Sequence, residues 1–152
     1  VSEKVFCPNC KKRVEIKNEK SVRCSECQQK IPELFEKEVQ EYLKKAWGIE
    51  LKKAKVKITD DFEKEFDFVS DDFEYIGDAK FFKAIEVPAA KNSTIAEYVW
   101  YLQNTKAKKK FLIFGRDIEV PNKWTKRHQS LLKDIEIYFF DSEKQKLIKL
   151  PC

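Results

Sequence analysis

The sequence predicts an α/β fold, with helices and strands alternating through one domain of ordinary size behind a small cysteine-bearing appendage. Three observations carry this. From residue 32 onward, segments with helical apolar spacing alternate with short runs in which apolar residues recur at every second position or continuously. The 152 residues are 42% hydrophobic and include twelve Phe, enough for one buried core. Before residue 32, two C-x-x-C pairs stand where a short segment lacks the apolar residues to hold itself together. The expected division is therefore residues 1–31 and residues 32–152.

Cys7-Pro-Asn-Cys10 and Cys24-Ser-Glu-Cys27 form the appendage. Each pair can place two thiolates on one ion, and four thiolates satisfy a tetrahedral structural zinc. Arg13–Lys17 and Ser21–Arg23, on either side of Asn18-Glu19-Lys20, predict a short hairpin between the pairs. The segment resembles a zinc ribbon, although Lys11 and Gln28 stand where many ribbons carry glycine just after each pair. Disulfides are the competing use of the cysteines, but nothing points to secretion. An iron site of the rubredoxin type would use the same four ligands. With all positions filled by protein, the metal is expected to be structural. Cys152 has no partner in this scheme.

The elements follow in order. Pro32–Trp47 predicts a helix, with Pro in the first turn, acids early, Lys44 and Lys45 late, and Gly48 as a stop. Its apolar face holds Leu34, Phe35, Val39, Tyr42, Leu43, Ala46 and Trp47. Glu36 and Glu38 lie at opposite edges of that face, and the helical wheel does not choose between them. Leu51–Thr59 predicts a strand. Residues 65–69 and 75–82 predict two more, joined by a turn at Ser70-Asp71-Asp72. Residues 84–92, with Pro88, read as a loop. Thr94 and Glu97 form a capping box for a helix over Ile95–Asn104. Lys110–Phe114, with its Phe-Leu-Ile-Phe run, predicts a buried strand. Asn122–Asp134 predicts a helix with Trp124, His128, Leu131 and Leu132 on one face. Ile135–Phe140 and Lys146–Leu150 predict terminal strands.

The chemistry concentrates on the central hairpin. Acid-x-lysine occurs three times, at Glu15, Glu50 and Asp78, but only Asp78-Ala-Lys80 has an aspartate upstream, Asp67. Side chains alternate along a strand, so Asp78 and Lys80 share a face with Ile76 and Phe82. Phe66 and Phe68 are expected on one side of their strand with Asp67 on the other. Gly77 is expected to leave room for close backbone approach beside the site. Two carboxylates can hold a hard cation through oxygen, and such a cation can polarise a phosphoryl group. An ordinary solvated hairpin is the plainer reading, but the aromatic flanks of both strands favour burial, and a buried acid needs a partner.

Charge supports the same centre. Residues 61–89 carry three basic and nine acidic side chains, between residues 1–60 with 15 and 10 and residues 90–152 with 13 and seven. A polyanion is drawn to the basic flanks, whereas the acidic centre needs a divalent cation before a phosphate can approach. Lys106, Lys108, Lys109 and Lys110, and separately Lys123, Lys126 and Arg127, are candidate phosphate contacts or solvated faces. Tyr98, Trp100 and Tyr101 are candidates for base stacking, or core at helical spacing. His128 is expected to be a packed or interface residue rather than a catalyst. No run of about 18 apolar residues predicts a membrane span, and Val1-Ser-Glu-Lys4 has no signal-peptide character, so the expected setting is cytoplasmic.

The order helix, strand, hairpin bearing Asp67 and Asp78-x-Lys80, helix, strand resembles the restriction-endonuclease-like PD-(D/E)XK nucleases over roughly residues 32–140. The resemblance implies an αβββαβ core with a mixed central sheet flanked by helices. It implies that Asp67, Asp78 and the carbonyl of Ala79 bind Mg²⁺ (or Mn²⁺), and that Lys80 positions or activates the attacking water. Phe35-Glu36 resembles the family's additional helix glutamate, which favours Glu36 over Glu38. Phe66 stands in place of the family's leading proline. The implied activity is hydrolysis of double-stranded or branched DNA, often by a homodimer, with the ribbon gripping DNA. The alternative is a non-catalytic nucleic-acid-binding or assembly module on the same scaffold.

Overall fold

A mixed six-stranded sheet organises the chain, as seen in a computed structural model that describes residues 4–17, 20–83 and 89–151, apart from the side chains of 89–92. The elements are β1 (Lys4–Cys7), β2 (Lys12–Glu15), α1 (Ile31–Ala46), β3 (Lys52–Thr59), β4 (Phe62–Val69), β5 (Tyr75–Phe82), α2 (Ala89–Gln103), β6 (Lys109–Arg116), α3 (Glu119–His128), β7 (Ile135–Asp141) and β8 (Lys146–Lys149). Strands β3 to β8 lie in sequence order across the sheet. The pairs β5–β6 and β6–β7 are parallel, whereas β3–β4, β4–β5 and β7–β8 are antiparallel. The α/β class and the mixed sheet flanked by helices therefore agree with expectation.

Helix α1 covers one face. Pro32 sits in its first turn, where the missing N–H costs nothing, and Gly48 follows with φ of 68°, a left-handed stop. Phe35, Val39 and Leu43 are fully buried against Phe68, Phe111, Ile113 and Phe140. Each such side chain contributes about 1.5–3 kcal/mol of burial. Ala46, expected on that face, is exposed, whereas Trp47 after it packs on Phe111 and Tyr138. Helices α2 and α3 cover the other face, with Ile95, Val99, Leu102 and Trp124 packed on Phe66, Ile76, Leu112 and Phe114. Strand β6 is buried on both sides, as its continuous apolar run requires.

Helix α2 begins at Ala89, so part of the expected loop is helical and Thr94 lies inside the helix rather than at its cap. Ala89, Ala90 and Lys91 are strong helix formers, and they outweigh a capping box that tolerates interior placement. Residues 84–88, including Pro88, lie outside the described residues. Helix α3 is displaced toward the N-terminus, because the Asp117 carboxylate accepts the Glu119 amide at 3.0 Å and starts it early. It gives way to a 3₁₀ turn at Gln129–Leu131, leaving Leu131 exposed at 55% while Leu132 buries. His128 packs on Trp124 with ring centroids 4.6 Å apart, as expected of a packed residue.

At the N-terminal end, β1 and β2 form a hairpin that the spacing did not predict. The expected pairing further along survives as a bridge between Ile16 and Cys24 and a hydrogen bond from the Lys17 amide to the Arg23 carbonyl. Asn18 and Glu19 lie outside the described residues, as does Cys152. No linker separates this unit from the sheet domain: Ile31 opens α1 and is buried with Val5, Val14 and Val22, and Phe81 of β5 packs beside them.

Strand β4 contains the irregularity that matters most. Lys52 pairs with Val69 and Ala54 with Phe66, so two steps along β3 match three along β4. The extra residue is a β-bulge. Phe66 consequently packs on the α2 side and Phe68 on the α1 side, which corrects the expectation that they share a face. Beyond Phe68↔Gly77 and Val69↔Ile76, the β4–β5 ladder stops. On β5 the expected alternation holds, with Ile76 and Phe82 in one cluster and Tyr75, Ala79 and Phe81 in the other. Gly77 does not serve the site. A Cβ there would meet the Phe111 ring at 2.4 Å, so the residue is small because an aromatic ring of the opposite face fills its space.

Candidate functional site

Where the β4–β5 ladder stops, side chains take over its hydrogen bonds. The Asp67 amide donates to Asp78 Oδ1 at 2.9 Å, and the Ala79 amide donates to Asp67 Oδ2 at 2.9 Å. Each strand thus offers a carboxylate in the place where a ladder carbonyl belongs. The bulge makes this possible by turning Asp67 toward β5, and Gln40 on α1 donates to the freed Asp67 carbonyl at 3.0 Å. Lys80 Nζ donates to Asp78 Oδ2 at 2.5 Å. Asp67, Asp78 and Lys80 are all buried, at 8%, 3% and 6% exposure. They converge on one small region, as the alternation on β5 led us to expect.

Glu36 joins them and Glu38 does not. Lys53 Nζ lies 3.4 Å from Glu36 Oε2 and 3.6 Å from Asp67 Oδ1, bridging helix and strand. Glu38 instead accepts hydrogen bonds from Ser142 and Gln145 at the β7–β8 turn. Two helical positions separate the two fates. Burial pushes the Glu36 carboxyl up to about 7, with the Asp67 charge acting in the same direction and Lys53 opposing. Burial also pushes Asp78 up, to about 8; Lys80 opposes this and Asp67 reinforces it. With these two carboxyls holding protons well above the ordinary carboxylate range, the three acids do not outweigh the Lys53 and Lys80 ammonium groups near neutral pH.

Glu36, Asp67 and Asp78 are hard oxygen donors. The carboxylate oxygens of Glu36, Asp67 and Asp78 do not all lie within 4.8 Å of one another. Among the described residues, the one group of three or more potential ligands that meets this distance is Cys7, Cys10, Cys24 and Cys27.

Residue spacing alone did not single out Lys53 or Gln40, and it offered Tyr98 for base stacking or core without its contact with Lys80. Gln40 carried a legible signal, since it follows Glu36 by one helical turn and shares its edge. Lys53 looked like one of several exposed charges on β3. Tyr98 lies over Lys80, with Nζ 3.4 Å from the ring centroid, a cation–π contact inside the sheet–helix interface. The candidate phosphate contacts before β6 are partly engaged elsewhere. Lys109 sits over Trp47 and pairs with Glu136, while Lys108 pairs with Glu74. Lys123, Lys126 and Arg127 mark the outer surface of α3.

The four cysteines form a second, separate centre. Sulfur–sulfur distances are 3.7 Å for Cys7 to Cys27 and 3.8 Å for Cys10 to Cys24. Metal–sulfur bonds of about 2.3 Å in a tetrahedron require an edge of about 3.8 Å. The cluster can therefore hold a metal ion such as zinc. Lys11 and Gln28 both adopt left-handed φ, 58° and 65°, and their amides donate to the Cys7 and Cys24 carbonyls. The two knuckles keep the turn that glycine eases elsewhere, at some backbone cost. The Glu26 and Cys27 amides donate to Cys24 Sγ, each at 3.4 Å. Among the clustered thiols, burial raises Cys10 to about 12, whereas the Gln29 amide and its neighbours overcome burial at Cys27 and draw it down to about 7.

No protein-family model matches the sequence, and comparisons with curated proteins and with solved structures gave no match. No helix among the described residues is long and apolar enough to cross a membrane.

Proposed function

We propose that this chain is a divalent-metal-dependent endonuclease that hydrolyses DNA phosphodiester bonds, with a structural zinc in its N-terminal unit. The observation that carries the reading is the meeting of Asp67, Asp78 and Lys80 at a bulge where the sheet opens, with Glu36 brought alongside by Lys53. Asp67, Asp78 and the Ala79 carbonyl would hold Mg²⁺ or Mn²⁺, with Glu36 as a further oxygen donor. A bound divalent cation supplies Lewis acidity toward a phosphoryl oxygen.

The chain's own groups do the rest. Lys80, held by Asp78 and the Tyr98 ring, supplies a positive charge that would orient the attacking water and offset negative charge on the phosphoryl oxygens. Water oxygen bonds to phosphorus and gives up one proton, the P–O ester bond breaks, and the departing oxygen takes up a proton, so that the number of protons is unchanged. Lys53 holds Glu36 and Asp67 together and offsets their repulsion. The fold is read on this basis as restriction-endonuclease-like, and the resemblance further suggests action as a homodimer.

The test is incubation of plasmid and branched DNA with Mg²⁺ or Mn²⁺, comparing the unaltered protein with Asp78→Ala and Lys80→Ala. Metal-dependent cleavage abolished by either substitution is expected; cleavage that survives both would sink this assignment. One observation favours a non-catalytic binding module instead: both Asp78 oxygens already accept hydrogen bonds, from the Asp67 amide and from Lys80. DNA binding without cleavage under any divalent cation would establish that reading.

A further inference from the structure

We infer that the aromatic surface beside this site is a stacking platform for the unpaired bases of a single-stranded DNA segment, so that the substrate is single-stranded or branched DNA rather than intact duplex. The inference rests on the nuclease reading for what happens next to the platform, and on its own geometry for what the platform binds.

Trp100 on α2 is 54% exposed and Phe62 at the start of β4 is 38% exposed, among the few large apolar side chains left open in the described residues. They are joined through Tyr101, whose ring lies 5.5 Å from Trp100 and 5.4 Å from Phe62 between centroids. Tyr101 in turn lies 5.8 Å from Tyr98, the ring that carries Lys80. A continuous row of rings therefore runs from open surface to the buried lysine. Tyr98 belongs to the inner end of the row and packs edge-on to Phe66, while Trp100 belongs to the surface.

Core packing explains Tyr98 and leaves Trp100 unexplained. A helix facing the sheet buries Ile95, Val99 and Leu102, and Trp100 lies off that stripe. Burial alone would favour a polar residue there. Cations interleave with the rings: Lys64 Nζ lies 5.1 Å from the Tyr98 centroid and 5.3 Å from that of Tyr101. A row of rings that ends in exposed Trp100 and Phe62 and carries Lys64 over its half-buried tyrosines suits a strand whose bases are free to stack and whose phosphates are anionic. The nearest acid on the same helix, Glu97, is turned onto the platform's edge as acceptor for the Tyr101 hydroxyl. A base pair inside a duplex presents no free face to such a surface, so the platform selects against it.

The probe is a fluorescein-labelled oligothymidylate, compared with a blunt duplex of equal length, titrated by anisotropy in buffer free of divalent cations so that no cleavage intervenes. Trp100→Ala should weaken oligothymidylate binding roughly ten-fold or more and leave duplex binding within two-fold. Trp100→Phe should restore most of the loss, and the exposure of Trp100 predicts an unchanged melting temperature. Equal loss on both probes, or none, overturns the platform. So does a concentration-dependent dimer that Trp100→Ala dissociates, which would make the rings a subunit interface. Neither result touches the nuclease reading, which stands or falls on metal-dependent cleavage and its loss in the Asp78 and Lys80 variants.

Discussion

Replacing Lys80 by methionine keeps the length of the side chain and its contact with Tyr98 but removes the ammonium group from Asp78. Both members of the pair are almost wholly buried, with side chains 7% and 5% exposed, so water cannot replace the missing partner. Breaking a buried ion pair from one side costs about 3–5 kcal/mol when the remaining group stays charged. Asp78 has an escape, because burial has already pushed its carboxyl up to about 8 and the loss of Lys80 removes the main opposing influence. The folded state then holds a proton that the unfolded chain has released. Stability therefore falls as pH rises from the ordinary carboxylate range through the raised value. At pH 9, one unit above the raised value, the protein with Lys80 ionises Asp78 and the variant resists doing so, so the variant's deficit should exceed its deficit at pH 6 by about 1.4 kcal/mol, or roughly 3–6 °C in Tm. At pH 6, where Asp78 carries its proton in both, the deficit should shrink to under about 1 kcal/mol. Urea unfolding at the two pH values, without divalent cations, measures the difference. An equal deficit at both would show that Lys80 contributes packing alone and that the carboxylate does not depend on it.

Glu36 gives an independent reading of the same electrostatics. Its carboxyl is raised to about 7, so it withdraws stability as pH climbs from about 4.5 to 7; Glu36→Gln should gain on the unaltered protein across that interval in urea midpoints, and a shift in the other direction would mean that Lys53 dominates. Gly77→Ala should cost about 1–3 kcal/mol, seen as a lower Tm, because the new methyl meets the Phe111 ring, itself stacked on Phe68. For the cysteine cluster, metal analysis should find one zinc per chain, lost in Cys24→Ser together with thermal stability of the N-terminal unit; full retention of the metal would remove Cys24 from the ligand set.

The sequence alone determined more of the site than of its surroundings. Spacing put Asp78 and Lys80 on one face, because a strand between β4 and β6 has little freedom to do otherwise. Four cysteines in two pairs predicted one cluster for a similar local reason: each pair is a single turn, and only four sulfurs close a tetrahedron. Helix α1 was legible from its proline, its apolar stripe and Gly48, all of which act within a few residues.

What lay beyond local rules was decided by tertiary structure. The bulge in β4 has no signature in Glu65-Phe-Asp-Phe-Val; it exists because β3 and β5 demand different registers of the strand between them. That one extra residue separates Phe66 from Phe68, turns Asp67 toward β5 and opens the ladder at the candidate site. Whether Glu36 or Glu38 reaches the centre depended on how α1 seats on the sheet, where Phe35, Val39 and Leu43 share a core with Phe111 and Phe140. Lys53, Tyr98 and the exposed ring of Trp100 acquire meaning only beside residues distant in the chain. Periodicity fixes which side of an element a residue occupies, and packing between elements decides what it meets there.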